Sequence, residues 1–162
     1  MGNFIDNNLI PGEKIIYKAE VNWMVYFPAL FNIALAVVIV VFNKAVMHSH
    51  SPILNLLAAV PLLVALWKAI GGYIHRHYTE IAITDTRLIA KFGFIRREVI
   101  ELPLAKIESV IVEQSIFDRI INAGSVGARG TGMAMAPVRY IDDPVKFRNF
   151  LNEAISHAKQ SN

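Results

Sequence analysis

Cysteine is absent from the 162 residues of this sequence. Its absence excludes disulfide bonds, thiolate nucleophiles, and zinc or iron–sulfur sites that depend on cysteine ligands. The sequence also lacks an H-E-x-x-H motif, a nucleophile elbow and a G-K-[ST] phosphate-binding signature. We therefore expect a protein that is not an enzyme and that holds no metal and no cofactor.

Charged residues are scarce in the first half of the chain. Residues 21–43 contain no Asp, Glu, Lys or Arg, and after Lys44 the same holds for residues 45–67. A helix needs about 20 mostly apolar residues to cross roughly 30 Å of hydrocarbon. We therefore predict a transmembrane helical hairpin over residues 21–74, with spans at 22–43 and 52–74 and an outer loop at 44–51.

A buried pair of core helices or a signal peptide would fit these apolar runs less well than a membrane hairpin does. A helical pair buried in a soluble core would also be apolar on every face, but the rest of a 162-residue chain is too short to surround it. A cleaved signal peptide has a shorter apolar region, and no second span follows it. The 54% hydrophobic content and the mean hydropathy of +0.42 agree with a hairpin buried in lipid.

The distribution of Lys and Arg predicts the orientation of the hairpin. Lys14 and Lys18 precede it, Arg76 and Arg87 follow it, and the connecting loop contains only Lys44. The positive-inside rule therefore places both termini in the cytoplasm. After residue 73, twelve Lys and Arg are nearly balanced by ten acidic residues, so we expect no binding of nucleic acid.

Aromatic residues mark the predicted cytoplasmic ends of both spans. Amphipathic rings prefer the interface between lipid and water, and a lysine can extend its ammonium group to the same level. The predicted interface anchors are Trp23, Tyr26, Trp67, Lys68 and Tyr73.

A polar residue and a row of small residues are candidates for helix association. Asn32 lies near the middle of the first span, where it could bond to a neighbouring copy or to the backbone of its own hairpin. Small residues on the second span allow close packing, either on the first span or on another subunit. These residues are Ala58, Ala65, Ala69 and Gly72, together with Pro61. The expected partners are the bilayer and either a second copy or another membrane or cytoplasmic protein.

After the second span, the pattern changes to short apolar runs separated by turns. Three runs predict an antiparallel meander: YTEIAIT, RLIAKF and IRREVIELP. Three further runs predict additional strands: KIESVIVEQS, SVGARGTG and APVRYI. SIFDRIINAG predicts a short helix that Ser115 caps and that Gly124 follows. Its inward-facing residues would be Phe117, Ile120 and Ile121.

The N-terminal segment has an ambiguous secondary-structure pattern, whereas the C-terminal segment has a clear helical one. Residues 1–20 could form a strand that joins the sheet or an interfacial helix, because so few residues show no clear period. In contrast, DDPVKFRNFLNEAISHAK predicts an amphipathic C-terminal helix, with Asp143 as N-cap and Pro144 at its first position.

Several motifs in this C-terminal part resemble one family. They are the T-D-x-R-L turn, the L-P-L run followed by K-I-x-S-V, the V-E-Q-S segment, the G-T-G turn and the D-P-x-x-F helix start. Between Tyr78 and Ile155 the sequence closely resembles the bacterial pleckstrin-homology (PH) domain family of membrane proteins. The resemblance implies an α+β membrane protein in which the hairpin is followed by a PH-like β-barrel of six to seven strands at residues 75–162, capped by a C-terminal helix.

The resemblance leaves the ligand open, because PH-like folds bind lipids, peptides or proteins. We expect a non-enzymatic binding or assembly module of the bacterial inner membrane, with two spans and both termini in the cytoplasm. An alternative is a module that binds or senses anionic lipid, and a second alternative is a small oligomeric channel or transport subunit. Contacts to an anionic lipid or ligand would come from Lys91, Arg96, Arg97 and Arg76.

Overall fold

The computed structural model describes residues 4–46, 52–94 and 97–160. The chain is α+β and divides into two compact units. The helical unit is Val25–Ile74, and the β unit combines Met1–Met24 with His75–Asn162. Most of the predicted outer loop and the predicted ligand residue Arg96 lie outside the described residues.

The chain starts in the β unit, passes once through the helical unit and then returns to the β unit. The helices are α1 (Phe4–Asn7), α2 (Phe27–Val46), α3 (Pro52–Tyr78), α4 (Ile116–Ile120) and α5 (Pro144–Gln160). The strands are β1 (Ile15–Ala19), β2 (Glu80–Thr84), β3 (Arg87–Phe92), β4 (Glu98–Pro103), β5 (Ile107–Glu113), β6 (Ala123–Gly130) and β7 (Met133–Asp142). Short 3-10 turns occupy Trp23–Tyr26 and Leu104–Lys106.

The described part of the chain contains two stretches that are long and apolar enough to cross a membrane, judged by length and composition. These stretches are Trp23–Ala45 and Leu56–Tyr78, with mean hydropathies of 2.5 and 1.7. Only 17% and 22% of their most apolar parts are buried, whereas a core helix of a soluble protein would be mostly buried. The large apolar side chains of both helices therefore remain largely exposed.

The β unit contains two antiparallel sheets. The first has the strand order β1-β2-β3-β4, and the second has the order β5-β6-β7. One isolated bridge, between Val21 and Ile141, joins the segment after β1 to β7. Seven strands agree with the expected PH-like architecture, but within the described residues the two sheets do not close into a barrel.

Strand β1 decides between the two alternatives predicted for the N-terminal segment. It pairs with β2, with Tyr17 opposite Ile83 and Ala19 opposite Ile81, so the strand alternative for the N-terminal segment is the observed one. The two apolar helices thus lie between the first and second strands of one sheet. The sequence left this contribution open, because β1 is too short for its pattern to distinguish a strand from a helix.

Helix α5 covers the core of the β unit as predicted. Its first turn is held by Asp143, whose Oδ1 accepts from the Lys146 amide at 3.2 Å. Phe147 is completely buried, and Tyr17 packs on it edge to face with ring centroids 6.1 Å apart. The Tyr17 ring also stacks on Phe150 at 4.9 Å, so β1 and α5 share one aromatic cluster.

Helix α4 forms where the sequence predicts it but does not pack as predicted. Ser115 is its N-cap, in agreement with the prediction. Phe117 and Ile120 were predicted to face inward, but they are exposed, and only Ile121 is half-buried. Gly124 does not end the helix; it lies in β6, where an added Cβ would stand 2.8 Å from Gln114 Cγ.

Candidate functional site

The chain leaves the β unit for the apolar helices beside the end of β7. The Asp142 amide donates to Glu20 O at 2.8 Å, Val21 bridges to Ile141, and the Asn22 amide donates to Tyr140 O. The Asn22 side chain also donates to Asp142 Oδ1. We call this region the junction edge, defined by residues 20–22, His75 and residues 139–142.

The chain returns from the apolar helices at the same edge. His75 Nε2 lies 3.3 Å from Arg139 O, and the His75 ring meets the Tyr140 ring edge to face at 6.5 Å. Thr79 continues the polar contacts, since its amide donates to His75 O at 3.1 Å. Residues before and after the apolar helices therefore contact the same segment of β7.

Two described residues between β3 and β4, Phe94 and Arg97, flank the position of Arg96 in the predicted dibasic site. The ring centroid of Phe94 lies 4.6 Å from that of Tyr78, the last residue of α3. Arg97 is exposed three residues after Phe94, and Arg76 is exposed two residues before Tyr78. The structure thus brings the segments that carry these two predicted cations together.

Lys91 does not belong to an exposed basic cluster, which corrects its predicted contact with an anionic ligand. It is buried, and its Nζ lies 3.0 Å from Glu80 Oε1, across the β2–β3 pair. The ammonium group also lies 4.9 Å from the ring centroid of Phe4. The other Glu80 oxygen accepts from the Ile5 amide at 3.3 Å. Lys91 therefore neutralises a buried carboxylate that holds the N-terminal segment.

A second ion pair holds the N-terminal segment to the turn before β3. Arg87 Nη2 donates to Glu13 Oε2 at 2.9 Å, and the hydroxyls of Thr84 and Thr86 donate to Glu13 Oε1 at 2.7 and 2.8 Å. Burial raises the pKa of Glu13, but hydrogen bonds from Arg87, a backbone amide and both threonines outweigh burial and lower it to about 2. The T-D-x-R-L turn therefore has a structural role in this chain.

An open depression of about 840 Å³ lies beside α4. Arg119 of α4 and Arg139 of the junction edge both contribute to its wall. The remaining lining residues are Val112, Glu113, Gln114, Ser115, Asp118, Ser125 and Pro137. Acidic and basic side chains are both represented, so the depression has no dominant charge.

The predicted association residues of the helical unit have partners inside that unit. Asn32 Nδ2 donates to Pro28 O at 2.7 Å, which is the own-backbone alternative for this side chain. An added Cβ at Gly72 would stand 3.2 Å from both Tyr26 Cδ1 and Val25 O. Small or polar buried residues recur every seven positions on both helices, which is the pattern of one shared packing seam. They are Ala29, Ala36 and Asn43 on α2, and Ala58, Ala65 and Gly72 on α3, while Ala69 is half-buried.

Four of the five predicted interface anchors are exposed. Tyr26 differs from the others, because it is half-buried and its ring lies against Gly72. The exposed four are Trp23, Trp67, Lys68 and Tyr73.

Within the described residues, no group of three or more His, Asp or Glu side chains could hold a metal ion. A sequence model of the family described as "Bacterial PH domain" matches residues 25–155. The match covers both apolar helices and every strand except β1, and it confirms the resemblance drawn from the motifs. No curated protein and no solved structure matches the chain.

Proposed function

Because the chain belongs to the bacterial PH domain family, we propose that it is a membrane-anchored binding module. In this proposal the apolar helices cross the bacterial inner membrane twice, and both termini are cytoplasmic. The β unit catalyses no reaction and binds another protein or a second copy of the chain at the cytoplasmic face. The observation that carries the proposal is the position of two long, exposed apolar helices between β1 and β2.

The junction edge fixes the segments of the β unit from which the chain enters and leaves the apolar helices. Glu20 and Asn22 on one side and His75 on the other contact residues of β7. A flexible linker would allow the β unit to search a large volume. Here backbone hydrogen bonds hold residues 20–22, and the His75 side chain contacts Arg139 O, which favours a module that works close to the bilayer.

Strand β5 supplies a surface that suits a protein partner. Within the described part of the chain, β6 is its only strand neighbour, so its other edge presents backbone N–H and C=O groups. The strand IESVIVE has no Pro or Lys to block pairing, and Ser109 and Ile111 are exposed along it. Such an edge can accept an added strand from another chain.

Photo-crosslinking in the membrane tests this proposal. A photoreactive residue replaces Ser109 or Ile111 in the full chain, and Glu153, exposed on α5, is the matched control position. We expect a discrete adduct from the β5 positions, because an added strand would lie in contact with them. Mass analysis of the adduct then distinguishes a second copy from a different protein. Equal adducts from Glu153, or none from β5, would contradict binding at this edge.

Binding of anionic lipid is a second candidate, favoured by the contact between Phe94 and Tyr78. This contact lies three residues before Arg97 and two residues after Arg76 in the sequence. Cations close to the end of a membrane helix attract anionic headgroups. We expect the Arg76→Glu/Arg97→Glu variant to retain less phosphatidylglycerol than the wild-type chain in native mass spectrometry, with Arg148→Glu as the exposed control. Equal retention by all three chains would refute this candidate.

A further inference from the structure

Helix α4 exposes more apolar side chain than any other element of the β unit within the described residues. Ile116, Phe117 and Ile120 are 80%, 74% and 77% exposed, and no other large apolar side chain described in that unit reaches these values. Single exposed apolar residues are ordinary, but three large ones on one short helix form a patch. Such a patch indicates a surface that contacts either a membrane or another protein.

The helix does not need these side chains to form. Ser115 Oγ accepts from the Asp118 amide at 3.2 Å, and Asp118 Oδ2 accepts from the Ser115 amide at 2.9 Å, which completes a capping box. Gln114 Nε2 donates to Ala123 O at 2.8 Å and closes the loop from which α4 projects. Polar contacts thus hold the helix, and its apolar residues are left available.

Helix α4 lies next to the junction edge. The Asp143 amide donates to Asn122 O at 2.9 Å, two residues after the end of α4. Arg119 of α4 and Arg139 of the junction edge line the same depression. Since Asn22 and His75 also contact residues 139–142, α4 is close to both points at which the chain runs into the apolar helices.

We propose that α4 inserts Ile116, Phe117 and Ile120 into the interfacial region of the cytoplasmic leaflet. The proposal rests on the membrane anchoring proposed above and adds a third contact between the protein and the bilayer. Apolar side chains on a short interfacial helix enter the boundary between headgroups and acyl chains. Arg119 can meanwhile keep its guanidinium group at the level of the phosphates.

The position of α4 favours the bilayer over a protein partner as its cover. A membrane crossed by the apolar helices begins within a few residues of Asn22 and His75, whichever other protein is present. The nearby acids do not prevent this contact: Asp118 is used in the capping box, and Asp142 accepts from Asn22 Nδ2. Glu113 lies in the depression with Arg119 and Arg139, which offset its charge.

Site-directed fluorescence on the full chain tests the insertion. The natural chain has no cysteine, so Phe117→Cys introduces one labelling site for an environment-sensitive fluorophore. Val38→Cys, exposed near the middle of α2, reports on the anchor, and Glu153→Cys on α5 is the aqueous control. Each labelled protein is placed in vesicles of phosphatidylethanolamine and phosphatidylglycerol that contain lipids with a quencher near the headgroup or deep in the acyl chains.

We expect the label at position 117 to emit at shorter wavelength than the label at 153 and to lose intensity with the shallow quencher. The label at 38 should lose intensity with the deep quencher. Quenching at 38 without quenching at 117 would overturn the insertion of α4 and leave the anchor intact. A blue-shifted but unquenched label at 117 would mean that protein covers α4, which also overturns the inference. Absence of quenching at 38 would refute the anchor and the inference together. Ile116→Cys repeats the measurement from a second exposed position.

Discussion

At the scale of single residues, Glu13 and Arg87 hold the N-terminal segment to the rest of its sheet. Arg87 joins two carboxylates, since Nη2 contacts Glu13 at 2.9 Å and Nη1 contacts Glu101 at 2.6 Å. The hydrogen bond to Glu13 is the largest cause that raises the pKa of Arg87, so the guanidinium remains charged. The Glu13 side chain is almost completely buried. Loss of the Arg87 charge would therefore leave a buried carboxylate without its partner, which is destabilising.

The ionisation of Glu13 predicts a loss of stability in acid. Its pKa falls from an ordinary value of 4.5 to about 2 in the folded chain. The stability that this carboxylate contributes is therefore complete above about pH 4.5 and is lost as the pH falls towards 2. We expect the free energy of unfolding of the wild-type chain in micelles to fall more steeply through this window than that of Glu13→Gln.

Denaturant unfolding at several pH values measures this difference. Above the window, Glu13→Gln should be less stable than the wild-type chain, because its side chain cannot form the ion pair with Arg87. Glu153→Gln changes an exposed carboxylate on α5 and should follow the wild-type curve. Parallel curves for the wild-type chain and Glu13→Gln would contradict the role assigned to this carboxylate.

The sequence predicts the turn at Thr84–Arg87 but not its function. The partner of that turn, Glu13, lies 74 residues from Arg87 along the chain, so no local pattern connects them. The role of Lys91 was equally hard to predict. In the sequence it lies near other cations, which suggests an exposed basic cluster, but the strand register places it opposite Glu80. Long-range pairing decides the role of both residues, and a single sequence does not contain it.

At the scale of elements, predictions were confirmed where the hydrophobic periodicity was clear, and they stayed open or were wrong where it was not. The six strands after α3 and the amphipathic helix α5 carry clear periodicity and occur where predicted. Strand β1 has only five residues, IIYKA, and its pattern fits a strand or a helix. Helix α4 has apolar residues at helical spacing, but that spacing indicates a common face and does not identify what covers it.

Two adjacent glycines of α3 offer a matched test of the packing in the helical unit. An added Cβ at Gly72 would stand 3.2 Å from Tyr26 Cδ1 and from the backbone of Val25, whereas at Gly71 it would meet no atom within 4 Å. We expect Gly72→Leu to lower the stability of the helical unit by about 1–3 kcal/mol through overpacking. Gly71→Leu should leave it unchanged or higher, since leucine favours a helix more than glycine does.

Thermal unfolding in mild detergent, followed by helical circular dichroism, compares the two variants with the wild-type chain. Both substitutions add the same apolar side chain, so the difference between them reports the local packing alone. Equal stability of Gly72→Leu and Gly71→Leu would rule out the packing of Gly72 on Tyr26.

At the scale of the whole molecule, the β unit is assembled from segments on both sides of the apolar helices. The family resemblance indicated a domain that begins after the hairpin, because its recognisable motifs all lie there. The first strand of the sheet nevertheless comes from the N-terminal segment, along with Tyr17 for the aromatic cluster and Glu13 for the ion pair. The motifs therefore predicted the family and the type of fold, while the extent of the domain required the strand pairing.

This arrangement predicts that residues 75–162 do not fold alone. Without residues 1–24, β2 has an unpaired edge, Phe147 and Phe150 lose contact with Tyr17, and Arg87 loses Glu13. A chain in which a short flexible linker joins Met24 directly to His75 should fold, because His75 and Asn22, two residues before Met24, both lie at the junction edge. Amide chemical-shift dispersion and thermal unfolding compare the two chains. Cooperative unfolding of residues 75–162 alone, at the midpoint of the joined chain, would contradict the assignment of β1 to the domain.

The position of the apolar helices between β1 and β2 also imposes an order on biosynthesis. The ribosome completes β1 first, but its partner β2 appears only after both helices have been made. At roughly 5–20 residues per second, the nascent strand waits on the order of several seconds while the two helices are synthesised. If the helices cross the membrane as proposed, the sheet can close only when the chain has returned to the side on which β1 was left. Insertion of one helix alone would then leave β1 and β2 on opposite sides of the membrane, with β1 unpaired.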